Sequence, residues 1–299
     1  MRQSSRGKSA DGCSQPSELF AWISSQDKVQ PVASWTDRRL TCRYSYSPSS
    51  ESSSYGEPGQ DFGAVAVHGD AVRFVLCDGV SLSYRGDFGA KLLGEGLFEW
   101  LRGFPGMEIE PAVRLLKELS YKAGKALERL ELPAELPPML KDVLLEKRSR
   151  GTAAMFACGY LIRPTREREG KLWLMWQGDL RIRFWLAGQE QRLLPETSFR
   201  TEERWTSLNP GCGSELLAAA KSPHMAALPL SAKESGGLLL YTDGLQVLDA
   251  AGLPLSGSEL TSALNGGAAG WLEDDASLLE VSWSGTEPDG KNGKRFQKH

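Results

Sequence analysis

Two aspartate–glycine pairs that follow short apolar runs constrain this chain more than any other feature. The run VRFVLC at 72–77 leads into Asp78-Gly79, and LLLYT at 238–242 leads into Asp243-Gly244. Short apolar runs closed by a turn signal are typical of buried β-strands, so each aspartate is expected at the end of a strand. One such pair is ordinary turn chemistry, but two raise the hypothesis of a shared site, which the rest of the sequence must test.

Composition narrows the class of protein. The 299 residues are 40% hydrophobic and 24% charged, which is typical of a globular chain with a substantial core. The net charge of −3 argues against broad nucleic-acid binding, which needs a basic face. No apolar run reaches the roughly 18 residues of a membrane span, and the polar N-terminus lacks the apolar core of a signal peptide. The five cysteines form no CxxC pair, which predicts reduced thiols and a cytoplasmic protein.

The chain is expected to hold one domain with two ragged ends. Residues 1–31 are predicted to be a disordered or weakly ordered segment, with one helical turn in 17–25. Residues 32–283 carry the alternating apolar patterns of a folded domain, and 284–299 are predicted to be a flexible tail. The serine-rich stretch 47–59 is predicted to be a flexible loop.

Periodicity indicates a mixture of helices and strands. Helical spacing predicts helices at 87–101, 111–130 and 137–148, with Asp87 as N-cap of the first. Strand-like segments follow at 151–162, 171–179 and 180–188, and a closing strand at 276–283. The polar stretch 187–235 is predicted to be an irregular lid or binding segment with one helix near 214–221.

Six acids stand at predicted strand ends. Carboxylates crowded at one sheet edge repel each other unless a cation neutralises them, and oxygen ligands suit hard ions such as Mg²⁺ or Mn²⁺. The alternative is that each acid only caps its own turn, and spacing alone leaves both interpretations open. The six are Asp61, Asp78, Asp179, Asp243, Asp274 and Asp275.

The order of the motifs around these acids resembles the metal-dependent serine/threonine phosphatases of type 2C, and more closely their divergent bacterial branch. The resemblance covers roughly residues 33–283. Each motif is short, and their shared order gives the resemblance its specificity. The matching pieces are Gln60-Asp61, Asp78-Gly79 with GDFGA at 86–90, GTA at 151–153, GDLR at 178–181, TDGL at 242–245 and DDAS at 274–277.

This resemblance implies an α+β fold, a four-layer α-β-β-α sandwich of two antiparallel sheets flanked by helices. It implies that two Mn²⁺ or Mg²⁺ ions are held by acids and by the carbonyl of Gly79, with Asp61 orienting metal-bound water. It also implies a third, weaker ion at Asp179 and Asp243. The implied catalytic residues are Asp61, Asp78, Asp243 and Asp274, and the implied metal ligands are Asp78, Gly79, Asp179, Asp243 and Asp274. Whether Asp274 or Asp275 is the ligand stays open.

The implied reaction is hydrolysis of phosphoserine or phosphothreonine in a protein by a metal-bridging hydroxide, opposing a cognate kinase. Two departures from the family pattern stand out. Val80 occupies the position of a histidine that many eukaryotic members carry, and Gly56 stands where an arginine grips the substrate phosphate. Arg43 or Arg85 is expected to replace that arginine, although both could equally be solvated surface residues. The alternatives are a catalytically weak or inactive regulatory relative and a hydrolase of another phosphoester.

Overall fold

The structure is a computed structural model of the chain. It describes residues 18–285 with the exception of 38, 104, 105, 107, 133, 193 and 208–221. The predicted disorder of residues 1–17, the helix near 214–221 and the tail from 286 onward lie outside the described residues.

The described residues form strands in two antiparallel sheets. In chain order they are β1 (Glu18–Ile23), β2 (Gln30–Asp37), β3 (Leu40–Ser47), β4 (Phe62–His68), β5 (Ala71–Gly79), β6 (Ala153–Ile162), β7 (Gly170–Gln177), β8 (Arg181–Leu186), β9 (Gln189–Gln191), β10 (Trp205–Thr206), β11 (His224–Leu230), β12 (Gly236–Tyr241) and β13 (Ala276–Trp283). The first sheet has the order β1-β4-β5-β6-β7-β11, with β10 paired to β6, and the second has β2-β3-β13-β12-β8-β9.

Helices cover both outer faces of the paired sheets. The α-helices are α1 (Ser50–Tyr55), α2 (Gly86–Leu101), α3 (Ile109–Glu128), α4 (Pro138–Arg150) and α5 (Gly257–Leu264), and there are 3-10 helices at Glu196–Ser198 and Asp243–Ala250. The helices α2 and α3 pack on the first sheet, whereas α5 and the 3-10 helix at Asp243–Ala250 pack on the second. The α+β four-layer sandwich implied by the resemblance is therefore confirmed.

Alternation of side chains along the strands builds the layers. Phe74 and Leu76 of β5 point into the core between the sheets, whereas Val75 and Cys77 point toward α2 and α3. Leu239 of β12 faces α5 while its neighbours face the inner core. Because both faces of these strands are buried, their sequences read as continuous apolar runs rather than as an alternation.

The ordered fold begins before the predicted boundary at residue 32. The strand β1 pairs with β4, and β2 begins at Gln30. The helical turn predicted for 17–25 is wrong, because Phe20 and Trp22 alternate as strand residues and pack against Tyr44 of the other sheet. A six-residue amphipathic strand is too short for its period to distinguish it from a helical turn.

Two further predictions need correction. The stretch 47–59 contains α1, whose N-cap Ser49 accepts a hydrogen bond from the Ser52 amide and whose C-cap is the left-handed Gly56. The segment 187–235 contains β11, which pairs along its whole length with β7. Pro229 weakened the strand signal there, but β11 is an edge strand, where proline is tolerated.

In the described part of the chain, no helix is both long enough and apolar enough to cross a membrane.

Candidate functional site

The predicted acids converge from both sheets at one edge of the sandwich. Asp61 precedes β4, and Asp78 is the penultimate residue of β5, both in the first sheet. Asp243 follows β12 and Asp274 precedes β13, both in the second sheet. Asp179 lies on the connection from β7 to β8, which crosses between the sheets. These five residues are named the acid edge below.

Mutual repulsion marks the acid edge. The pKa of Asp78 is raised well above its ordinary value by burial and then by the charges of Asp243, Asp274 and Asp179. The pKa of Asp243 is likewise raised by burial and then by the charge of Asp274. Carboxylates far apart in the sequence thus lie close enough to oppose each other's ionisation.

Asp61 lies deeper than the other members of the acid edge. It is 2% exposed, and its Oδ2 accepts a hydrogen bond from Thr242 Oγ1 at 2.7 Å. Burial and the nearby charge of Asp78 raise its pKa, whereas the Thr242 hydroxyl lowers it. The amide of Ser277 donates to Thr242 Oγ1 at 3.0 Å, so β13 fixes the hydroxyl that orients Asp61.

Asp275 has a different environment from its neighbour Asp274. Its Oδ1 accepts a hydrogen bond from the Ser49 amide at 2.6 Å, and its Oδ2 accepts one from the Gln60 amide. The carbonyl of Gln60 in turn accepts from the Gly79 amide at 3.1 Å. Asp275 therefore ties the start of β13 to the loop before β4 and the end of β5, and both of its oxygens are occupied.

Close backbone packing explains both glycines of the aspartate–glycine pairs. A Cβ at Gly79 would lie 2.4 Å from the carbonyl oxygen of Gly86, and one at Gly244 would lie 2.1 Å from that of Asp275. Such distances exclude any side chain without a backbone shift. The glycines bring the first turn of α2 and the start of β13 against the strand ends that carry Asp78 and Asp243.

The cation Arg181 lies beside this edge. Arg181, the first residue of β8, lowers the pKa of Asp243 through its charge and donates from Nη1 to the carbonyl oxygen of Asp179 at 3.0 Å. The carboxylate of Asp179 accepts a hydrogen bond from Thr201 at 3.0 Å. One arginine leaves most of the negative charge of the acid edge uncompensated.

The chemistry of this donor set fits hard divalent cations. It consists of carboxylates, and the buried Oε1 of Gln60, which lies beside Gly86, has no hydrogen-bond partner among the described residues. Within the described ranges, however, no group of three or more His, Cys, Asp or Glu side chains has the arrangement of a formed metal site. These residues thus bring suitable oxygen atoms to one edge of the sandwich without forming a complete coordination shell.

The two predicted phosphate-binding arginines have other partners. Arg43 lies in mid-sheet and donates to the carboxylate of Glu280 at 3.1 and 2.5 Å and to the carbonyl of Leu255 at 2.7 Å. The structure does not bring it to the acid edge. Arg85 precedes α2, and its guanidinium holds both oxygens of Asp87 at 3.0 and 2.9 Å. Arg85 itself is the N-cap of α2, so the N-cap predicted at Asp87 is wrong.

Comparison with solved structures identifies the fold. A bacterial serine phosphatase superposes with a TM-score of 0.53 at 12% identity, over 83% of this chain and 99% of that one. Serine/threonine phosphatase Stp1 from Staphylococcus aureus superposes with a TM-score of 0.54 at 11% identity, over 82% of this chain and 95% of that one. The chain has the bacterial serine/threonine phosphatase fold. The predicted type 2C resemblance is thereby confirmed for the fold. No family model and no curated protein matches the sequence.

Sequence reasoning missed three contributors to the candidate site. Thr242 and Arg181 stand inside motifs that had been recognised, but their partners could be seen only in the structure. The role of Asp275 was also hidden, because the amides that it accepts from belong to loops far away in the chain. The available signal was the presence of two adjacent acids, Asp274 and Asp275. Two neighbouring carboxylates rarely point the same way along an extended chain, so the two acids were candidates for different roles.

Proposed function

We propose that this protein is a divalent-metal-dependent phosphatase acting on phosphoserine or phosphothreonine in proteins. The supporting observation is the acid edge itself. Within a serine/threonine phosphatase fold, four carboxylates from both sheets repel one another beside Arg181. Such an arrangement costs free energy unless cations bind there, so its presence favours a metal-dependent reaction.

In this proposal Asp78, Asp243 and Asp274 hold two ions together with the carbonyl of Gly79, and Asp179 contributes to a third, weaker position. Asp274 is preferred over Asp275 because both oxygens of Asp275 are already bonded to backbone amides. When bound, Mn²⁺ or Mg²⁺ supplies activation of water and neutralisation of charge on the phosphoryl oxygens.

The remaining residues position this machinery. Asp61 is held at Oδ2 by the Thr242 hydroxyl and orients the water that attacks the phosphoryl group. Asp275 holds the Gln60 and Ser49 amides and so fixes the distance between the two sheets at the site. A phosphorylated protein substrate, a cognate kinase and a cytoplasmic location stay predictions that follow from this function.

A second candidate is a weakly active or inactive relative that works by binding. The observation in its favour is Val80, which packs against the core between the sheets. An apolar side chain there can neither donate a proton to a leaving group nor bind phosphate. In the enzyme proposal, water takes the role of the acid.

The experiment that separates the two candidates is phosphate release from a phosphoserine peptide by the purified chain, with Mn²⁺, with Mg²⁺ and with EDTA. We expect activity with a divalent ion, none with EDTA, and a loss of about 100-fold or more in Asp78→Asn and Asp243→Asn. Asp142→Asn, on the exposed surface of α4, is the matched control and keeps full activity.

A folded protein that binds no Mn²⁺ by calorimetry and releases no phosphate would favour the binding candidate. Activity that survives EDTA would contradict the metal requirement.

A further inference from the structure

We infer that Arg181 binds the phosphoryl group of the substrate, in the place of the arginine that the chain lacks at Gly56. The inference rests on the proposed function and names the residue that recognises the substrate's charge. Neither Arg43 nor Arg85 has this role.

The first argument is position. Arg181 begins β8 two residues after Asp179, and its Nη1 is anchored on the carbonyl of that residue at 3.0 Å. Arg181 pairs across the sheet with Tyr241, which lies two residues before Asp243. The charge of Arg181 lowers the pKa of the Asp243 carboxyl group. A dianionic phosphoryl group approaching the acid edge needs a fixed positive charge at that place.

The guanidinium group of Arg181 is more available to a ligand than those of three other arginines. The guanidinium groups of Arg43, Arg85 and Arg183 are each engaged with both oxygens of a carboxylate. Arg183 also donates to the carbonyls of Leu248 and Ala251 at 2.7 Å. Among the described residues, Arg181 has a long ion pair, with 3.7 Å between Nε and Asp249 Oδ2, and its hydrogen bond to the Asp179 carbonyl. With 26% of its side chain exposed, Arg181 keeps donors for a ligand.

The space beside Arg181 is large enough for a substrate. Arg181 lines a cavity of about 560 Å³ whose other walls include Asp179, Phe199, Thr201 and Asp249. A volume of this size accommodates a phosphorylated side chain with part of its backbone. The cavity reaches the acid edge at Asp179, so a phosphoryl group bound there lies beside both Arg181 and the Asp179 carboxylate.

The test compares steady-state kinetics of wild type, Arg181→Ala and Arg181→Gln on a phosphoserine peptide with saturating Mn²⁺, and measures inhibition by inorganic phosphate. Loss of a hydrogen bond to a charged group predicts a fall of about 10- to 100-fold in kcat/KM, mainly through KM. The inhibition constant for phosphate is expected to rise by a similar factor. Arg102→Ala is the control, since Arg102 is 55% exposed and lies at the C-terminal end of α2.

Arg181→Gln distinguishes phosphate binding from a structural role. Glutamine can still donate to the Asp179 carbonyl, so it would restore wild-type constants if Arg181 only held that carbonyl. It also tests the inference if Arg181→Ala fails to fold. Unchanged phosphate inhibition in Arg181→Gln, or a larger effect in Arg85→Ala, would overturn the inference and leave the proposed function standing. An inactive wild-type protein would overturn both.

Discussion

The two ends of the first sheet carry side chains of opposite charge, and these charged groups differ in the partners they have. At the end of β5 the acid edge gathers carboxylates that raise one another's pKa. At the other end, around the turn between β4 and β5, lie Arg73, Arg102, Arg163 and Arg168, named the arginine end. Asp70 and backbone carbonyls of the described residues pair with these arginines, whereas the carboxylates of the acid edge oppose one another's ionisation. Self-sufficient charges indicate a structural role, and uncompensated ones indicate a site for something from outside.

The contacts of the arginine end show this self-sufficiency. Asp70 forms ion pairs with Arg163 and, at 3.6 Å, with Arg168. The buried Arg73 donates to the carbonyls of Leu101 and Arg102 at 3.0 and 3.3 Å, and so satisfies acceptors at the C-terminal end of α2. These interactions hold the helix on the sheet and leave a chemical role to the opposite end.

The largest effects that test this comparison are expected from substitutions of the adjacent acids Asp274 and Asp275. We expect Asp274→Asn to lower metal-dependent phosphatase activity by about 100-fold or more with little loss of stability, because its carboxylate belongs to the acid edge. We expect Asp275→Asn to lower the free energy of unfolding by about 2–4 kcal/mol, because an amide group cannot accept both backbone N–H bonds. Phosphate release and denaturant unfolding measure the two effects.

The reverse result, a stable and inactive Asp275→Asn beside a destabilised Asp274→Asn, would exchange the two roles. Equal effects of both substitutions on both measurements would show that the site has no division between ligand and clamp.

A smaller effect concerns the metal-free protein. Asp78→Asn removes a buried charge that faces other carboxylates, so in EDTA at pH 7 we expect it to raise the free energy of unfolding by about 1–3 kcal/mol. Because the folded-state pKa of Asp78 is raised, its favourable contribution is complete below the ordinary value of 3.8 and is lost as pH rises through the folded-state pKa. Wild-type stability in EDTA should thus fall as pH rises above about 4.

Asp78→Asn should flatten this decline in stability. Equal pH slopes for wild type and variant in denaturant titrations would show that the acid edge carries no repulsion, and would remove the contrast with the arginine end.

The smallest effect is expected at the arginine end and has the opposite sign. Burial and the neighbouring Arg73 lower the pKa of His68 from its ordinary 6.5. The unfolded chain therefore takes up a proton before the folded one as pH falls, and stability declines below about pH 6.5 by under about 1 kcal/mol. Denaturant unfolding of wild type and His68→Gln between pH 7 and 5.5 checks this, and a wild-type contribution that grows on acidification would contradict it.

Sequence alone predicted the strand ends that carry the acids, because each apolar run is local and its turn residues follow directly. Asp78 and Asp243 lie where the pattern placed them, and α2 ends at the predicted residue. The family resemblance supplied the arrangement of the sheets, which periodicity could not.

Roles that depend on partners distant in the chain could not be predicted. Arg43 was a candidate phosphate ligand, but β13 places Glu280 directly opposite it. Nothing in the sequence around Arg43 shows this partner. Its guanidinium compensates that buried carboxylate, whose pKa burial raises and Arg43 lowers. Phe20 and Trp22 were assigned to a helical turn because their contact with Tyr44 joins two separate sheets. Such errors reflect tertiary packing overriding weak local preference.

The strand order of the second sheet has a consequence for biosynthesis. The strand β13 follows every other described strand in the sequence, yet it lies in the interior of the sheet between β3 and β12. A nascent polypeptide that has reached Glu273 holds those two neighbours with no strand to join them, and it lacks Asp274. The ribosome must therefore have passed Trp283 before this half of the molecule can assemble, and fragments released earlier should be open to proteolysis.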